Sequence, residues 1–509
     1  MKANEDAISL DAALEKAGNG LYNILLVATC GLILLGIGID MFGFSLAVAA
    51  ACDLDLNVTQ QGILTSLPMV GILVSSYPWG YISDTKGRRY SLIISALVGS
   101  LLSSLSSLAS NWIVLGLIKF VSVCFSCAAN SVTYTLLGES CIQSVRRKYM
   151  LIITCILILS PGAAAVLTYP TLLLDFKLDI PFLNLTFTPW RLLIIVLALP
   201  TGLGGIAIWF FCESPKFLAN YGREDEALEV LKTIHRINHR GSKEPLKITS
   251  LVLEGSENAK HQSLWQSLHE QSAPLFRPPM LWRTLQLYFI VLVVYITNNS
   301  FLVWLPYLLN LVIQNLKTSG EYNSFCHLIT LSQDTPNENT FSNSTDVPIC
   351  KGKVESNVII TLVISQSIFS FLTFVISYLM KWRRIVLLTN LSIAALSGFL
   401  INLMPDPVLS IVALMVFTST NLAMGILASY FVDLYPTSCR GMVTCLSIMV
   451  ARTSSFIGIN MVSGLLFKYC DITFNAWSLL VASGIMASWY LPADENKQIP
   501  ESINMLRNG

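Results

Sequence analysis

Charged residues are scarce in this sequence. They make up 12% of the chain, whereas a soluble globular protein carries about 25%, and 53% of the residues are hydrophobic. Apolar runs of roughly twenty residues recur, and each is long enough to cross a bilayer as a helix. The composition excludes a soluble globular protein and makes the lipid bilayer the first expected partner. The net charge of +1 gives no indication of a nucleic-acid partner.

Signatures of catalysis and metal binding are also missing from the sequence. There is no GxxxxGK[ST] phosphate loop, so ATP-driven transport has no support. The five histidines fall outside the predicted spans, and no Ser/His/Asp arrangement or CxxC…CxxC array is present. We therefore expect neither an enzyme nor a protein that needs a metal or another cofactor.

Hydropathy predicts an all-α membrane protein of twelve transmembrane helices. Acidic residues such as Glu5 and Asp11 precede the first apolar run, which predicts a cytosolic tail rather than a cleaved signal peptide. The predicted spans are 22–46, 62–82, 91–109, 112–137, 150–174, 190–212, 283–312, 357–380, 385–404, 408–432, 441–467 and 473–491.

Basic residues in the short loops indicate the orientation, because Lys and Arg concentrate on the cytosolic side of membrane proteins. One set of alternate loops is rich in them, whereas the opposite set offers little beyond Lys177 and Lys468. We therefore assign the first set and both termini to the cytosol. Its basic residues are Lys86, Arg88, Arg89, Arg146, Arg147, Lys148, Lys381, Arg383, Arg384 and Arg440.

Three N-glycosylation sequons lie on the side predicted to be external. They begin at Asn57, Asn184 and Asn343, and glycosylation requires an exposed acceptor on that face. We expect these asparagines to be glycosylated, which supports the orientation without using charge. Matches at Asn298 and Asn390 lie inside apolar runs and are set aside.

Two cysteines, Cys326 and Cys350, lie in the polar external loop predicted at about 313–356. Because that face is oxidising, a disulfide between them is predicted, with Cys52 and Cys470 as alternative partners. Most other cysteines lie in apolar runs, where the ordinary role is that of a small packing residue.

A charged segment interrupts the apolar runs between the second and third predicted spans. Gly80, Asp84, Gly87, Arg88 and Arg89 fit the pattern G-x-x-x-D-x-x-G-R-R. Polar residues that break an apolar stretch this abruptly predict a tight cytosolic turn. The pattern resembles the loop between spans 2 and 3 of the major facilitator superfamily of secondary transporters.

An internal repeat supports the same architecture. Glu139 stands seven residues before Arg146 at the end of span 4, and Asp433 stands seven before Arg440 at the end of span 10. The paired arginines of the loop motif recur in the second half at nearly the same offset. Two six-helix pseudo-repeats follow, which is the major facilitator architecture, with a binding site expected near the midplane.

The predicted domains follow from this repeat. Apolar residues of the linker recur at helical spacing, which predicts short amphipathic helices there. The domains are a cytosolic tail 1–21, an N-terminal half 22–212, a cytosolic linker 213–282, a C-terminal half 283–491 with the outer loop 313–356, and a cytosolic tail 492–509.

Further segments resemble synaptic vesicle glycoprotein 2 and its relatives, and also the organic ion transporters. The resemblance implies a cytoplasmic gate in which Asp84 accepts bonds from the N-terminal end of span 11. It also implies latches that join Glu139 to Arg146 and Asp433 to Arg440. The segments are Cys52-Asp-Leu, Gly62-Ile-Leu-Thr-Ser, Pro189-Trp-Arg-Leu-Leu, Glu213-Ser-Pro-Lys-Phe-Leu, Gly222-Arg-Glu-Asp-Glu-Ala and Asp433-Leu-Tyr-Pro-Thr-Ser-Cys-Arg-Gly.

The sequence departs from these relatives in span 1 and span 4. Related proteins often carry two acids in span 1, and here Ile37 fills the first position and Asp40 the second. Lys119 replaces the arginine that is usual in span 4. The coupling mechanism of proton-linked relatives therefore stays open for this chain.

Ionisable residues inside a span cost roughly 2.5–3.5 kcal/mol on insertion scales, so each is a candidate functional residue. Asp40 could bind a cationic solute or a proton, and Arg452 an anion. The alternative is that a group on a neighbouring helix neutralises each charge, without a role in binding. Lys119 is interpreted as a packing or gate residue. The uncharged candidates, for which interhelical hydrogen bonding is the alternative, are Tyr295, Asn298, Asn299, Gln366 and Asn421.

Two functions fit these observations. The leading one is a secondary active or facilitative transporter that moves a small organic solute by alternating access, with a coupling ion as a further partner. We expect a monomer in the plasma membrane or an intracellular vesicle membrane. The alternative is a receptor or trafficking regulator, like the synaptic vesicle glycoproteins, without net transport. The degenerate span 4 favours the alternative, whereas Asp40, Arg452 and the intact loop motif favour transport.

Overall fold

The computed structural model describes residues 7–183, 185–239, 248, 250–252, 273–278, 280–319, 324–331, 356–379, 382–435 and 437–492. Within those ranges, eleven helices are long and apolar enough to cross a membrane. A pair of helices bent by 40°, Gln143–Ile158 and Ser160–Leu172, gives a twelfth span when the two are counted as one. The predicted all-α membrane architecture of twelve spans is therefore confirmed.

Contacts divide the chain into two compact units. The first comprises residues 1–264, 303–314 and 337–371, and the second comprises 265–302, 315–336 and 372–509. The first ten helices belong to the first unit. They are α1 Leu10–Ala17, α2 Leu21–Ala49, α3 Val58–Lys86, α4 Arg88–Ser106, α5 Trp112–Ser140, α6 Gln143–Ile158, α7 Ser160–Leu172, α8 Pro189–Ile208, α9 Pro215–Asn220 and α10 Glu224–Asn238.

The remaining described helices lie in the second unit, except that α11 and α13 have residues in both. A 3₁₀ segment, Thr418–Leu422, separates α15 from α16 within one span. These helices are α11 Met280–Ser319, α12 Phe325–Leu331, α13 Ser356–Tyr378, α14 Arg383–Leu403, α15 Pro407–Phe417, α16 Ala423–Leu434, α17 Thr437–Leu465 and α18 Cys470–Trp489.

Two short sheets accompany the helices. β1 (Ala7–Ser9) pairs in parallel with β4 (Ser250–Val252), so the start of the chain lies beside the linker. β2 (Leu178–Ile180) and β3 (Leu185–Phe187) form an antiparallel pair between α7 and α8.

The linker helix α10 packs against α1 and α2 within the first unit through the predicted apolar face. Leu228, Leu231 and Ile234 are buried in a core cluster with residues of α1 and α2. The Asn238 side chain at the end of α10 accepts a hydrogen bond from the Tyr22 backbone N–H at 3.0 Å. Because Tyr22 lies in the first turn of α2, its N–H has no partner within the helix. The end of the linker helix therefore caps the first span.

Side-chain caps begin the spans formed by α3 and α5. Asn57 accepts from the Gln60 N–H at 2.8 Å, and Gln60 accepts in return from the Asn57 N–H at 3.0 Å. Asn111 accepts from the Val114 N–H at 2.9 Å at the start of α5. Each cap satisfies a backbone donor that the helix leaves unpaired.

Helices α4 and α5 approach closely at a glycine. A Cβ at Gly99 would lie 2.8 Å from the Ser126 Cβ, and the Ser122 hydroxyl donates to the Gly99 carbonyl at 2.8 Å. Small residues allow such close packing between membrane helices. The contact positions Ser103, one turn after Gly99, beside Lys119, one turn before Ser122.

Gly87 joins α3 to α4 with a backbone φ of +107°. We expect Gly87→Ala to lower the free energy of unfolding by more than about 1 kcal/mol, because side chains rarely adopt this conformation. A Cβ there would also collide with the Glu213 carboxylate. The readout is the unfolding midpoint of the purified protein in a mild detergent.

Gly80 provides the matched control, since it belongs to the same motif. It lies inside α3, and nothing stands within 4 Å of a Cβ at that position. Gly80→Ala should leave stability unchanged or raise it by about 0.5–1 kcal/mol. Equal shifts for the two variants would contradict the assignment of backbone strain to Gly87.

Candidate functional site

A charge pair lies buried between two helices of the first unit. The Lys119 ammonium on α5 is 2.6 Å from Oδ1 of Asp40 on α2, and the two side chains are only 1% and 10% exposed. The ammonium also lies 4.9 Å from the centroid of the Phe44 ring, one turn further along α2. Because the ring face is electronegative, it adds a favourable contact for the cation.

Ser103 on α4 completes a triangle with the two charges. Its hydroxyl donates to Asp40 Oδ1 at 2.6 Å and accepts from Lys119 Nζ at 2.8 Å. Ser103 is fully buried, so three spans meet at one polar cluster. We call Asp40, Ser103 and Lys119 the charge cluster.

Burying the charge cluster costs free energy, and removing one of its two charges destabilises the fold. Removing two ions from water costs several kcal/mol each, which their mutual attraction offsets only with good geometry. Removing one partner alone leaves an uncompensated buried charge, at about 3–5 kcal/mol. Ionisable groups kept within a span at this cost are candidates for transport chemistry.

In sequence, Asp40 is a candidate binding residue and Lys119 a candidate packing or gate residue. The structure makes Lys119 the direct partner of Asp40, so the alternative raised for Asp40, neutralisation by a neighbouring helix, is observed. Ser103 was missed, because one serine in a serine-rich helix gives no signal in a single sequence. The assignment of Asp40 as a binding residue stays a prediction.

The charged loop motif forms a second network in the first unit. The Arg88 guanidinium lies 3.2 Å from Glu139 and 3.1 Å from Asp84, and Glu139 accepts a bond from the Ser214 hydroxyl at 2.5 Å. The same guanidinium stands 5.1 Å from the centroid of the Phe217 ring. Arg88 therefore joins α3, α5 and the start of the linker.

Glu213 holds the N-terminus of α4. Its carboxylate accepts from the backbone N–H groups of Arg88 at 2.9 Å and Arg89 at 3.0 Å, and from that of Ser214 at 2.9 Å. A helix N-terminus favours an anion because its N–H groups and dipole point toward it. In sequence, Glu213 belongs to a segment that carries the family resemblance, and nothing there predicts this role.

The predicted latch between Glu139 and Arg146 is not formed in this structure, and its role in gating stays a prediction. Arg146 lies instead 3.4 Å from Asp11 of α1 and donates to the Cys141 carbonyl at 3.2 Å. The reason is local, since Cys141 and Ile142 are extended and end the helix between the two residues. Glu139 and Arg146 therefore do not share a helix face.

Other gating predictions are not decided by the structure. The Asp84 side chain is 73% exposed and contacts Arg88 one turn away, and the bond from span 11 stays a prediction. Asp433 and Arg440 lie on α16 and α17, but their side chains fall outside the described part of the chain.

A third network lies at the opposite end of α8 from the linker. The buried Arg191 guanidinium donates to the carbonyls of Ser107 at 2.8 Å and Ala109 at 2.6 Å, and lies 2.9 Å from Asp53. The Trp190 indole N–H donates to the same carboxylate at 2.6 Å. This network ties the end of α4 to the loop after α2. In sequence, Trp190 and Arg191 belong to a segment that carries the family resemblance, and nothing there predicts this network.

In the second unit, adjacent amides on α11 form a buried chain. Asn298 donates to Asn299 at 3.1 Å, and Asn299 donates to the Ser455 hydroxyl of α17 at 2.7 Å. Tyr295, one turn earlier on α11, is half-buried, as is Arg452, one turn before Ser455. Helix-to-helix bonding, the alternative raised for these amides, is thus observed for Asn299.

The last two uncharged candidates lie apart from these amides. Gln366 is buried on α13 beside Gly162 of α7. Asn421 is half-buried in the 3₁₀ segment that interrupts span 10. Such an interruption frees backbone carbonyls, and Asn390 donates to that of Ser419 at 3.1 Å.

The predicted disulfide between Cys326 and Cys350 is wrong in its pairing. Cys326 is bonded to Cys470, with Cα atoms 5.5 Å apart. The short helix α12 packs on α18, where the Phe325 and Phe474 rings lie 5.9 Å apart, so the neighbouring cysteines meet. Cys350 lies outside the described residues, and Cys52 is also disulfide-bonded.

Of the predicted glycosylation sites, Asn57 is exposed at the start of α3. Its Oδ1 caps the helix, which leaves the amide nitrogen, the atom that carries a glycan, free of that bond. Asn184 and Asn343 lie outside the described residues.

Comparison with known proteins decides the family. The sequence model of the Major Facilitator Superfamily matches residues 28–459. The chain belongs to the major facilitator superfamily.

Groups of three or more metal-ligating side chains do not occur among the residues that the structure describes.

The curated relatives of this major facilitator protein include three synaptic vesicle glycoproteins. Glycoprotein 2C of Rattus norvegicus is 26% identical over 254 residues, covering 48% of this chain and 34% of the relative. Glycoprotein 2B of Homo sapiens is 26% identical, covering 47% and 35%, and glycoprotein 2A of Bos taurus 26%, covering 49% and 34%. The matched region spans about a third of the length of these relatives.

Solved structures of xylose transporters share the fold. The partially occluded inward-open XylE of E. coli aligns with a TM-score of 0.62 at 12% identity, covering 94% of this chain and all of that chain. A D-xylose–proton symporter aligns with a TM-score of 0.59 at 14% identity, with the same coverage. At these identities the likeness shows the fold alone.

We expect Lys119→Met to lower the free energy of unfolding by about 3–5 kcal/mol, because it leaves the Asp40 carboxylate buried without a cation. Lys148→Met is the matched control, since Lys148 is exposed on α6, and should change stability by less than about 0.5 kcal/mol. The measurement is equilibrium unfolding in detergent micelles. A Lys119→Met protein as stable as the control would contradict the buried ion pair.

Peptide mapping without reduction should recover Cys326 linked to Cys470. Cys326→Ser and Cys470→Ser should each lower the unfolding midpoint, whereas Cys445→Ser, at an exposed cysteine, should not. We expect the free energy of unfolding to fall by about 2–5 kcal/mol in each of the first two variants, because the disulfide closes a long loop of chain. Recovery of Cys326 linked to Cys350 would instead restore the pairing expected from sequence.

Proposed function

We propose that this protein is a secondary transporter, active or facilitative, that moves a small organic solute across a membrane by alternating access. The observation that carries the proposal is the charge cluster, an ion pair buried among three spans of a major facilitator fold. A purely structural protein gains little from such a pair, since well-packed apolar residues are often equally stable.

The charge cluster supplies a physical link between binding and movement. As long as Asp40 and Lys119 contact each other, their charges are neutralised and the three helices stay joined. The pair can separate cheaply only when another group replaces one partner. A proton on Asp40, a cation beside it, or an anionic group at Lys119 would each do so. A ligand of that kind shifts the equilibrium between two conformations.

The loop-motif network is proposed as the cytoplasmic gate of the first unit. The positive-inside rule places the loop with Arg88 and Arg89 in the cytosol, and both termini with it. Glu213 and Arg88 then fasten the start of the linker to α4 and α5. Any movement of this end of the first unit would carry the linker helices along.

For the solute we propose a small organic molecule with hydrogen-bonding groups, together with a coupling ion. The buried amides Asn298 and Asn299 and the half-buried Tyr295 can bind hydroxyl, carbonyl or amine groups, and Arg452 can bind an anionic group. The xylose named for the structural neighbours belongs to those proteins. We propose a monomer that resides in the plasma membrane or a vesicle membrane.

Flux into proteoliposomes tests the proposal. The purified protein is reconstituted and assayed with a panel of radiolabelled organic cations, anions and sugars. We expect uptake of at least one class, and at least a tenfold loss in Asp40→Asn, because the neutral amide cannot balance Lys119. A tenfold loss corresponds to about 1.4 kcal/mol.

Asp55→Asn is the matched control for this assay. It makes the same chemical change at an exposed residue after the same helix, at a left-handed backbone position that Asn tolerates. It should transport as the wild type does. No flux of any class across the panel would contradict transport and leave the receptor or trafficking role as the better account.

A further inference from the structure

An apolar groove lies between α2, α8 and α10 of the first unit. Its volume is about 480 Å³, within the range of about 300–1,000 Å³ that is usual for ligand sites. Polar groups lie only at intervals along it. The lining residues are Tyr22, Leu25, Thr29, Leu203, Ile206, Ala207, Phe210, Phe211, Cys212, Thr233 and Ile237.

The groove runs from the membrane interior to its surface. Thr29 lies two turns inside α2 from Leu21, which is about 12 Å at the rise of a helix. At the other end, Trp209 and Phe210 follow the last turn of α8 and are 59% and 83% exposed. Exposed aromatic residues at the end of a span are typical of the membrane–water interface. The groove therefore faces lipid along its length and water at one end.

Two arginines lie beside the end of the groove that faces water. Arg236 is exposed on α10, one residue before Ile237 and one turn after Thr233, both of which line the groove. Arg89 donates from Nη2 to the Trp209 carbonyl at 2.6 Å, and its buried Nε has no hydrogen-bond partner among the described residues. Three of the four acidic residues of α10 lie in its first turn, at the opposite end of the helix, and the fourth, Glu229, lies in the second turn.

The positive field of both arginines reaches the groove. Burial raises the pKa of the Cys212 thiol at the groove wall, whereas the Tyr22 hydroxyl bond and the charges of Arg89 and Arg236 act to lower that pKa. A cavity with apolar walls and a cationic rim at the membrane surface matches one kind of molecule: a long acyl chain that ends in an anionic headgroup.

We propose that the groove binds an anionic phospholipid, with one acyl chain along α2 and α8 and the phosphate held by Arg236 and Arg89. Guanidinium groups bind phosphate oxygens in a bidentate geometry, and basic pockets beside membrane helices recognise anionic headgroups. The lipid would bridge the end of two spans and the linker helix. Its headgroup would share Arg89 with the loop motif, so the lipid would influence the gate.

Native mass spectrometry tests the site on the full-length protein. The protein, purified in detergent, is equilibrated with equal amounts of dioleoylphosphatidylserine and dioleoylphosphatidylcholine. We expect the wild type to retain the serine lipid in preference. Arg236→Gln should reduce that preference about fivefold, the equivalent of about 1 kcal/mol for one basic residue near a membrane surface.

Two matched tryptophan variants test the groove itself. Ile206 and Leu199 are seven residues apart on one face of α8 and are 53% and 50% exposed, but only Ile206 lines the groove. Ile206→Trp should fill it and reduce retention of both lipids, whereas Leu199→Trp should bind as the wild type does. Equal retention of the two lipids by the wild type, or identical behaviour of the tryptophan variants, would overturn the proposal.

Discussion

An ion pair held away from water is the constraint on which the first unit depends. Asp40 and Lys119 lie on different spans, and neither charge is stable in the membrane interior without the other. Their contact, bridged by Ser103, joins α2, α4 and α5. The close approach of α4 and α5 at Gly99 makes this contact possible. Packing and electrostatics therefore act together, and a change in one disturbs the other.

The two ends of the first unit are held by different devices. At one end, a carboxylate binds the N-terminus of α4, since Glu213 accepts from the N–H groups of Arg88 and Arg89. At the other end, a guanidinium binds the carbonyls that follow the C-terminus of the same helix, through Arg191. Both charges match the helix dipole of α4. α4 is thereby fixed at both ends, with Ser103 of the charge cluster between them.

Features with a local signal could be predicted from sequence. Apolar length predicted the spans, and helical spacing predicted the buried face of α10. Contacts between distant segments could not, because one sequence carries no record of which side chains meet. Lys119 lies on a helix distant in sequence from Asp40, and Cys326 meets Cys470 because α12 packs on α18. Glu139 and Arg146 are separated by the same seven residues as Asp433 and Arg440, which suggested a latch, but two extended residues lie between Glu139 and Arg146. Single residues of the site could therefore be predicted from sequence, whereas the residues that they contact could be identified only in the structure.

We propose that the charge cluster serves transport rather than folding. The most direct measurement compares solute flux and unfolding free energy in the double variant Asp40→Asn/Lys119→Met. This variant lacks both charges, and a neutral replacement of a buried pair is often tolerated. We therefore expect its free energy of unfolding to lie within about 1 kcal/mol of the wild-type value. We also expect no flux in proteoliposomes. A double variant that folds and transports at the wild-type rate would contradict the claim.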